Sequence, residues 1–264
     1  MSRASASAKI NLALLVGPDR PDGYHEVATV LQRIDLADDV TVEDADALSV
    51  TGFPEDTLVI RALQLLAEAG GGEPRWHVHI EKRIPVAAGL GGGSSDAATA
   101  LALANETLSH DQLHDVAAQV GSDVPFFLTE GPQLGTGTGT DLEPVDLPQD
   151  YWIVLVLPHD EHKDSTASVY ARFNNTAGFD RRRAALLDSL RRVRRTTDLA
   201  LLPPNDLVSS PLAPALRALG AFRADVSGAG PAVYGLFLRE HDARAAAASE
   251  PRGQTLIAKP AWYG

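Results

Sequence analysis

Eight consecutive residues constrain this chain more than any others: Gly89-Leu90-Gly91-Gly92-Gly93-Ser94-Ser95-Asp96, followed without a break by an alanine-rich run from Ala97 to Asn105. Glycines let main-chain N–H groups approach an anion closely, and a helix that starts there adds the positive end of its dipole. The spacing therefore predicts a glycine loop opening onto a helix, with phosphate as its natural occupant and Ser94 and Ser95 as helix caps. Two better-known loops are ruled out. A Walker A sequence needs Lys-Ser/Thr after the last glycine, where this chain has Ser94-Ser95, and a dinucleotide fingerprint needs a third glycine where Ser94 stands. Tight packing alone is the other reading of such a loop, so these residues indicate an anion and not a particular nucleotide.

An anion loop is informative here because the chain of 264 residues carries a formal net charge of −12. Such a balance opposes general attraction to nucleic acid or anionic membranes, so an anionic ligand must be held by local groups. Hydrophobic residues at 44% and charged residues at 22% are an ordinary globular mix, which excludes wholesale disorder. The length fits one large α/β domain or two fused lobes. There is no cysteine, which removes disulfide frameworks, thiolate metal sites and cysteine nucleophiles together. The first nine residues lack the apolar core of a secretory signal, and no stretch approaches the roughly 18 apolar residues of a membrane span. A soluble, cytoplasmic chain is expected.

Periodicity predicts the main elements. Strands are expected from Ile10 to Val16, from Val27 to Leu36, at Trp76, Val78 and Ile80 with a wet face of His77 and His79, from Trp152 to Leu157, and from Tyr234 to Leu238. Helices are expected from Asp56 to Ala69, His110 to Val120, Arg181 to Arg195, Leu212 to Leu219 and Ala243 to Ala248. Gly135-Thr136-Gly137-Thr138-Gly139 reads as a flexible stretch, Gly121-Ser122-Asp123-Val124-Pro125 as a tight turn, and a domain boundary is expected near Tyr151.

Several side chains could carry chemistry. Asp123 in its turn could accept a proton from an attacking hydroxyl, or cap the turn. Lys9 could neutralise a phosphate, or be an ordinary strand-end lysine; it stands beside Asn11 in a chain with only four lysines (Lys9, Lys82, Lys163, Lys259). His77 with His79, and the run His159-Asp160-Glu161-His162-Lys163-Asp164, have metal-compatible residue types, but a wet strand face and a solvated loop are the commoner meanings. The seven arginines between Arg181 and Arg195 lack interleaved aromatics, so a solvated helix face is favoured over a nucleic-acid site.

The run from Pro85 through the glycines to Ala98 resembles the phosphate loop of the GHMP kinases, and Ser227-Gly228-Ala229-Gly230-Pro231 resembles that superfamily's C-terminal glycine motif. Ala8-Lys9-Ile10-Asn11-Leu12, Asp22-Gly23-Tyr24-His25-Glu26 and Gly121-Ser122-Asp123-Val124-Pro125-Phe126-Phe127 are similar to the branch that phosphorylates a cytidyl diphosphate polyol in the non-mevalonate isoprenoid route. The resemblance implies a mixed α+β / α/β two-lobe fold, with a ribosomal S5-like lobe over 1–150 and a ferredoxin-like lobe over 151–264 completing the substrate cleft. It implies ATP and Mg2+, with Pro85, Ala88, Gly89, Leu90, Gly91, Gly92, Gly93, Ser94 and Ser95 around the phosphates and Asn105 near adenine. No protein ligand set for the metal is implied; it is expected on the ATP phosphates, with Ser95 as the candidate protein contact.

By the same resemblance Asp123 is the catalytic base and Lys9 its electrostatic support. Asn11 touches the diphosphate or diol region, and Tyr24, His25 and Tyr170 enclose the cytosine. The expected partner is a small cytidyl diphosphate substrate, with no nucleic acid and no membrane, the chain being a monomer or weak homodimer. A homoserine- or mevalonate-type kinase, or a silent metabolite-binding relative, is the alternative; Tyr24-His25 discriminates, because those substrates carry no cytosine. Asp96 departs from the asparagine often found at its position, Asp141 from the usual glutamate, and the loop from His159 to Asp164 is unusually charged.

Overall fold

Burial explains why the first strands outrun their apolar signal. In the computed structural model, which describes residues 1–159, 166–173 and 176–261, β1 (Ser2–Asp19) is buried on both faces from Ala6 to Gly17, and it pairs with β2 (His25–Asp44). Small Ala and Ser side chains serve in the doubly covered part without making a hydrophobic run. The chain continues through β3 (Ser49–Thr51), α1 (Thr57–Ala69), β4 (Trp76–Glu81), α2 (Gly92–Ala104), α3 (His110–Val120) and a 3-10 turn (Pro125–Leu128). Next come β5 (Gln133–Gly137), β6 (Asp141–Pro144), β7 (Trp152–Pro158), α4 (Thr166–Ala171), α5 (Phe179–Arg192) and a second 3-10 turn (Thr196–Leu201). The described chain ends with α6 (Leu212–Ala218), β8 (Arg223–Val226), β9 (Val233–Phe237), α7 (Glu240–Ser249) and β10 (Gly253–Ala258).

Packing divides these elements into two compact units, one of Met1–Ala8, Leu36–Val86 and Gly91–Glu130, the other of Lys9–Asp35, Ala87–Leu90 and Gly131–Gly264. In the first, the end of β2 pairs antiparallel with β4 from Asp39↔Glu81 to Asp44↔Trp76, and β3 runs parallel to β4. Val78 and Ile80 face inward while His79 and Glu81 face solvent, the alternation expected of a strand with one wet face. Helices α1, α2 and α3 pack on one another. Asp56 starts α1 by accepting the N–H groups of Leu58 and Val59 at 2.9 and 3.0 Å, and Ser109 with Gln112 forms a capping box on α3.

In the second unit the beginning of β2 pairs antiparallel with β5, from Val27↔Gly137 to Leu31↔Gln133, and β5 turns back into β6. The glycine–threonine stretch that reads as flexible is this hairpin: positive φ at Gly137 and Gly139 makes the turn, and ladder pairing orders Gly135 to Gly137. A separate four-stranded antiparallel sheet has the order β10-β7-β9-β8. Helices α6 and α7 cover it over a core that includes Val154, Val156, Leu216, Val226, Val233 and Phe237. Strands β8 and β10 carry little apolar signal, because β8 is built around Arg223 and Asp225. The buried Arg223 guanidinium donates to the carbonyls of Leu12, Leu199, Leu202 and Pro203, which gives partners to backbone groups that hydrophobic contact alone would leave unsatisfied.

Among the described residues no helix is long and apolar enough to cross a membrane. The capped start of α1 yields a direct test: Asp56→Ala, which leaves two first-turn N–H groups unmet, is expected to cost about 1 kcal/mol, read from the shift in urea midpoint at unchanged slope.

Candidate active site

The first turn of α2 is where the glycine loop becomes a helix. Its N-cap is Gly91, in the left-handed conformation at φ 73, and no side chain caps it. Ser94 and Ser95 lie inside the first turns and do not cap the helix, which corrects the expectation drawn from their residue type. Ser95 is buried on the inner face of α2. The consequence favours an anion, because the leading amides of a 13-residue helix are left without a side-chain acceptor and keep the full positive end of the dipole. At the entry to the loop Ala87 holds φ 59, a conformation costly for any residue with a Cβ, while Val86 is exposed and Pro85 half-buried.

The stem of the loop is held by other means in the second unit. Ala88 O accepts the N–H of Ala232 at 3.0 Å, Gly89 O accepts the Ser227 hydroxyl at 2.9 Å, and Leu90 O accepts the N–H of Lys9 at 2.9 Å. A Cβ on Gly89 would stand 2.3 Å from Ser227 O, so this glycine serves close packing of two backbones. Gly228, at φ 55, is packed so tightly that a Cβ would meet Gly89 O and the Lys9 ammonium at 3.3 Å and Asn11 Oδ1 at 3.5 Å. Lys9 Nζ donates to Asn11 Oδ1 at 2.7 Å, Asn11 Nδ2 donates to Thr29 Oγ1 at 2.8 Å, and Thr29 donates to Ala13 O at 2.8 Å; all three side chains are buried. The structure thus brings Lys9, Asn11, Gly89 and the C-terminal glycine motif together.

Asn205, passed over in sequence, braces that motif by donating to the carbonyls of Val226 and Gly228 at 3.1 and 2.7 Å. Its only signal is a buried amide after Pro203-Pro204, which no periodicity reports.

His25 is enclosed. Its Nδ1–H donates to Gly17 O at 3.2 Å, and its ring lies 5.7 Å from that of Tyr170 and 6.3 Å from that of Phe173. Tyr170 and Phe173 also pack on Leu14, Val16 and Val27. Tyr24 is 58% exposed, its backbone held by Asp22 and Arg20, so the structure groups His25 with Tyr170 and Phe173 and leaves the Tyr24 ring open to solvent.

In the first unit Asp123 is half-buried in the turn between α3 and the 3-10 turn Pro125–Leu128, which packs on α2. Asn105 ends α2 at the opposite pole from the glycine loop, roughly 20 Å along a 13-residue helix. Its amide is spent on a local turn, accepting from Thr107 and Leu108 and donating to Leu108 O.

Two carboxylates beside the loop are ion-paired. Lys82 Nζ lies 2.6 Å from Asp38 Oδ2 and 2.7 Å from Asp96 Oδ2, with both carboxylates fully buried. Burial draws the ammonium downward, but the charges and hydrogen bonds of Asp96 and Asp38 outweigh it and hold Lys82 above its ordinary value. Burial pushes the Asp96 carboxyl up to about 7, against the pull of Lys82, and its Oδ1 has no hydrogen-bond partner.

Other candidates fall away from this site. His77 and His79 bond to Ser49 and Thr51 on the wet face, and among the described residues no three His, Asp or Glu side chains gather as a metal group. Of the run from His159 to Asp164, residues 160–164 lie outside the described residues. Most arginines of α5 are exposed, but Arg182 reaches Val16 O at 2.8 Å and Asp206 at 3.2 Å, so it is a structural tie.

Residues 57–131 match the GHMP kinases N terminal domain and residues 184–250 the GHMP kinases C terminal domain. The chain is 36% identical to a 4-diphosphocytidyl-2-C-methyl-D-erythritol kinase of Chlorobium chlorochromatii, over 94% of this chain and 93% of that one. With the Geobacter metallireducens kinase of the same name the identity is 38%, covering 92% of each. A solved 4-(cytidine 5'-diphospho)-2C-methyl-D-erythritol kinase superposes with a TM-score of 0.76 at 31% identity over 100% of both chains. A mevalonate kinase superposes at 0.73 with 13% identity over 100% of both chains, a likeness of fold alone.

Two outcomes follow from the packing and the burial. Gly228→Ala should lower stability by about 1–2 kcal/mol from the left-handed backbone alone, and Gly89→Ala, where a backbone oxygen stands in the way, by more; chemical denaturation of the two variants gives the order. Asp96 binds its proton more tightly folded than unfolded, so its contribution to stability is full below the ordinary carboxylate value near 4 and is lost as pH rises through about 7. Asp96→Asn should therefore gain on the parent in urea midpoint between pH 5 and pH 8, and parallel midpoints across that range would reject the assignment.

Proposed function

The chain belongs to the GHMP kinases and, within them, to the 4-diphosphocytidyl-2-C-methyl-D-erythritol kinase family, and on that footing we propose how its residues carry out the family's ATP-dependent phosphorylation. The enzyme transfers a phosphoryl group from ATP to the 2-hydroxyl of the cytidyl diphosphate polyol, a step of isoprenoid precursor biosynthesis. Asp123 accepts the proton of that tertiary hydroxyl as its oxygen attacks the γ-phosphorus, and the bond to the β,γ-bridging oxygen breaks to release ADP. Lys9 supplies positive charge toward the transferring group. Support for this role comes from its burial and its fixed bond to Asn11, since a lysine held in one rotamer needs no reorganisation when charge develops.

The ATP phosphates occupy the uncapped start of α2, with Gly91, Gly92, Gly93 and Ser94 offering main-chain N–H groups and Ala88, Gly89 and Leu90 forming the stem. Mg2+, when bound, neutralises charge on the phosphates and is held chiefly through them, a binding mode that needs few protein ligands. The cytosine is read beside His25, whose Nδ1–H is committed to Gly17 O and whose Nε2 lies 3.4 Å from the exposed Asp19 carboxylate, a partner that the base edge would displace. Tyr170 supplies an aromatic face there, and Tyr24, whose ring is exposed, is a solvent-facing wall. Asn11, bonded to both Lys9 and Thr29, orients the diol end of the substrate. Cytoplasmic localisation and a monomer or weak homodimer belong to the same reading.

The contact that carries the assignment is the packing of Gly228 against Lys9, Asn11 and Gly89. It joins the motif with the ammonium and the loop stem, which a glycine loop used only for packing would not require. The test is ADP release with Mg2+-ATP and the full cytidyl substrate, set against the same polyol phosphate lacking cytosine, homoserine and mevalonate. Turnover is expected only with the cytidyl substrate. Asp123→Asn should lose at least about 100-fold in kcat with binding of a non-hydrolysable ATP analogue retained; full turnover in that variant would remove Asp123 from the role of base.

A further inference from the structure

The chain entering the glycine loop is fastened to a buried carboxylate, and one ammonium shared with that carboxylate ties the helix leaving the loop to it. Asp38, on β2 and fully buried, accepts the N–H groups of Arg83 and Ile84 on Oδ1 at 2.5 and 2.8 Å, and the Lys82 ammonium on Oδ2 at 2.6 Å. The same ammonium donates to Asp96 Oδ2 at 2.7 Å, 14 residues further on and inside α2. The Cβ position of Gly92, the first residue of α2, lies 3.3 Å from Lys82 Nζ, and that of Gly93 lies 3.7 Å from Asp56 Oδ2. The Phe53 ring stands 5.6 Å from the ammonium.

As a device for stability this arrangement is poor. Two fully buried carboxylates share one ammonium, and one Asp96 oxygen is left without a partner. Apolar side chains at positions 82 and 96, with a neutral acceptor at 38 for the two N–H groups, would fill the space without desolvating three charges. What the triad does supply is geometry: it spans the loop from residue 82 to residue 96 with short, charge-assisted bonds, and it sets the first helical residues of α2 against a fixed point.

We propose that Lys82 is a positioning residue for the nucleotide: by gripping Asp38 before the loop and Asp96 after it, it fixes the loop's span and the aim of the leading amides of α2 at the phosphates. The proposal rests on the kinase reading above. It assigns Lys82 no contact with the reacting atoms.

The test separates position from stability. In the variant D38N/K82M/D96N the three charges go together, so no unpaired buried charge remains, while the amide oxygen introduced at position 38 still accepts the two backbone N–H groups. The melting temperature, KM for ATP, KM for the cytidyl substrate and calorimetric affinity for a non-hydrolysable ATP analogue are measured against the parent. The expected result is a melting temperature within a few degrees, a KM for ATP and an analogue Kd raised at least tenfold, and a KM for the cytidyl substrate within twofold. A folded variant with unchanged ATP affinity, or one in which both KM values rise together, overturns the proposal.

Should that variant fail to fold, the lack of cysteine in the chain offers a second route. Lys82→Cys is unfolded, alkylated with 2-bromoethylamine to place an ammonium one sulfur atom away from lysine, and refolded. Recovery of ATP-analogue affinity to within threefold of the parent, from a value at least tenfold weaker in the unalkylated protein, supports the proposal; equal affinity before and after alkylation rejects it. If the unaltered protein itself releases no ADP with the cytidyl substrate, the kinase reading has failed. Analogue binding still decides whether Lys82 positions the loop.

Discussion

The close approach of two glycine-bearing backbones is the constraint on which the second unit's part of the site depends. Gly89 and Ser227 are 138 residues apart, yet their main chains are near enough that neither a Cβ on Gly89 nor one on Gly228 could be housed without displacement. Once that approach is made, Ser227 and Ala232 satisfy the carbonyls of Gly89 and Ala88, and the Lys9 N–H satisfies Leu90. The Lys9 side chain is then confined, with Asn11 and Thr29 taking its direction. Asn205 and Arg223 act behind this layer on carbonyl groups that no regular element satisfies.

The two halves of the glycine loop do different physical work. Residues 88–90 form a stem whose carbonyls are all occupied and whose glycine is required by packing. Residues 91–94 present a helix start with no side-chain cap, where main-chain donors are left for a ligand. The choice between a loop for packing and a loop for an anion therefore has a divided answer. Ser94 and Ser95 read as caps from residue type, but Gly91 in the left-handed conformation takes the N-cap position and moves both serines into the helix.

Charge follows the same division between local and global effects. An acidic chain binding an anionic nucleotide and an anionic substrate has to hold its positive charge where it is needed, and two of its four lysines, Lys9 and Lys82, are side chains with fixed partners at the loop. The remaining excess of negative charge is spread over exposed surface, where solvent and salt screen it.

Local pattern was enough to determine helices such as α1 from Asp56 and α3 from His110, the core strand β7, and the motifs that mark the family. These signals lie within a few residues of chain, so neighbouring residues carry them. Tertiary structure alone decided the rest. The ordering of the glycine–threonine stretch into β5 and its turn depends on ladder partners on β2 and β6, and the strand character of Arg223 and Asp225 on carbonyls delivered from elsewhere. The local turn that engages the Asn105 amide is invisible to a motif, and Lys82 was silent because its meaning lies in Asp38, 44 residues away, and in Asp96 beyond the loop. Buried polar groups take their roles from the partners that desolvation obliges them to find, and those partners are set by the fold and not by proximity in sequence.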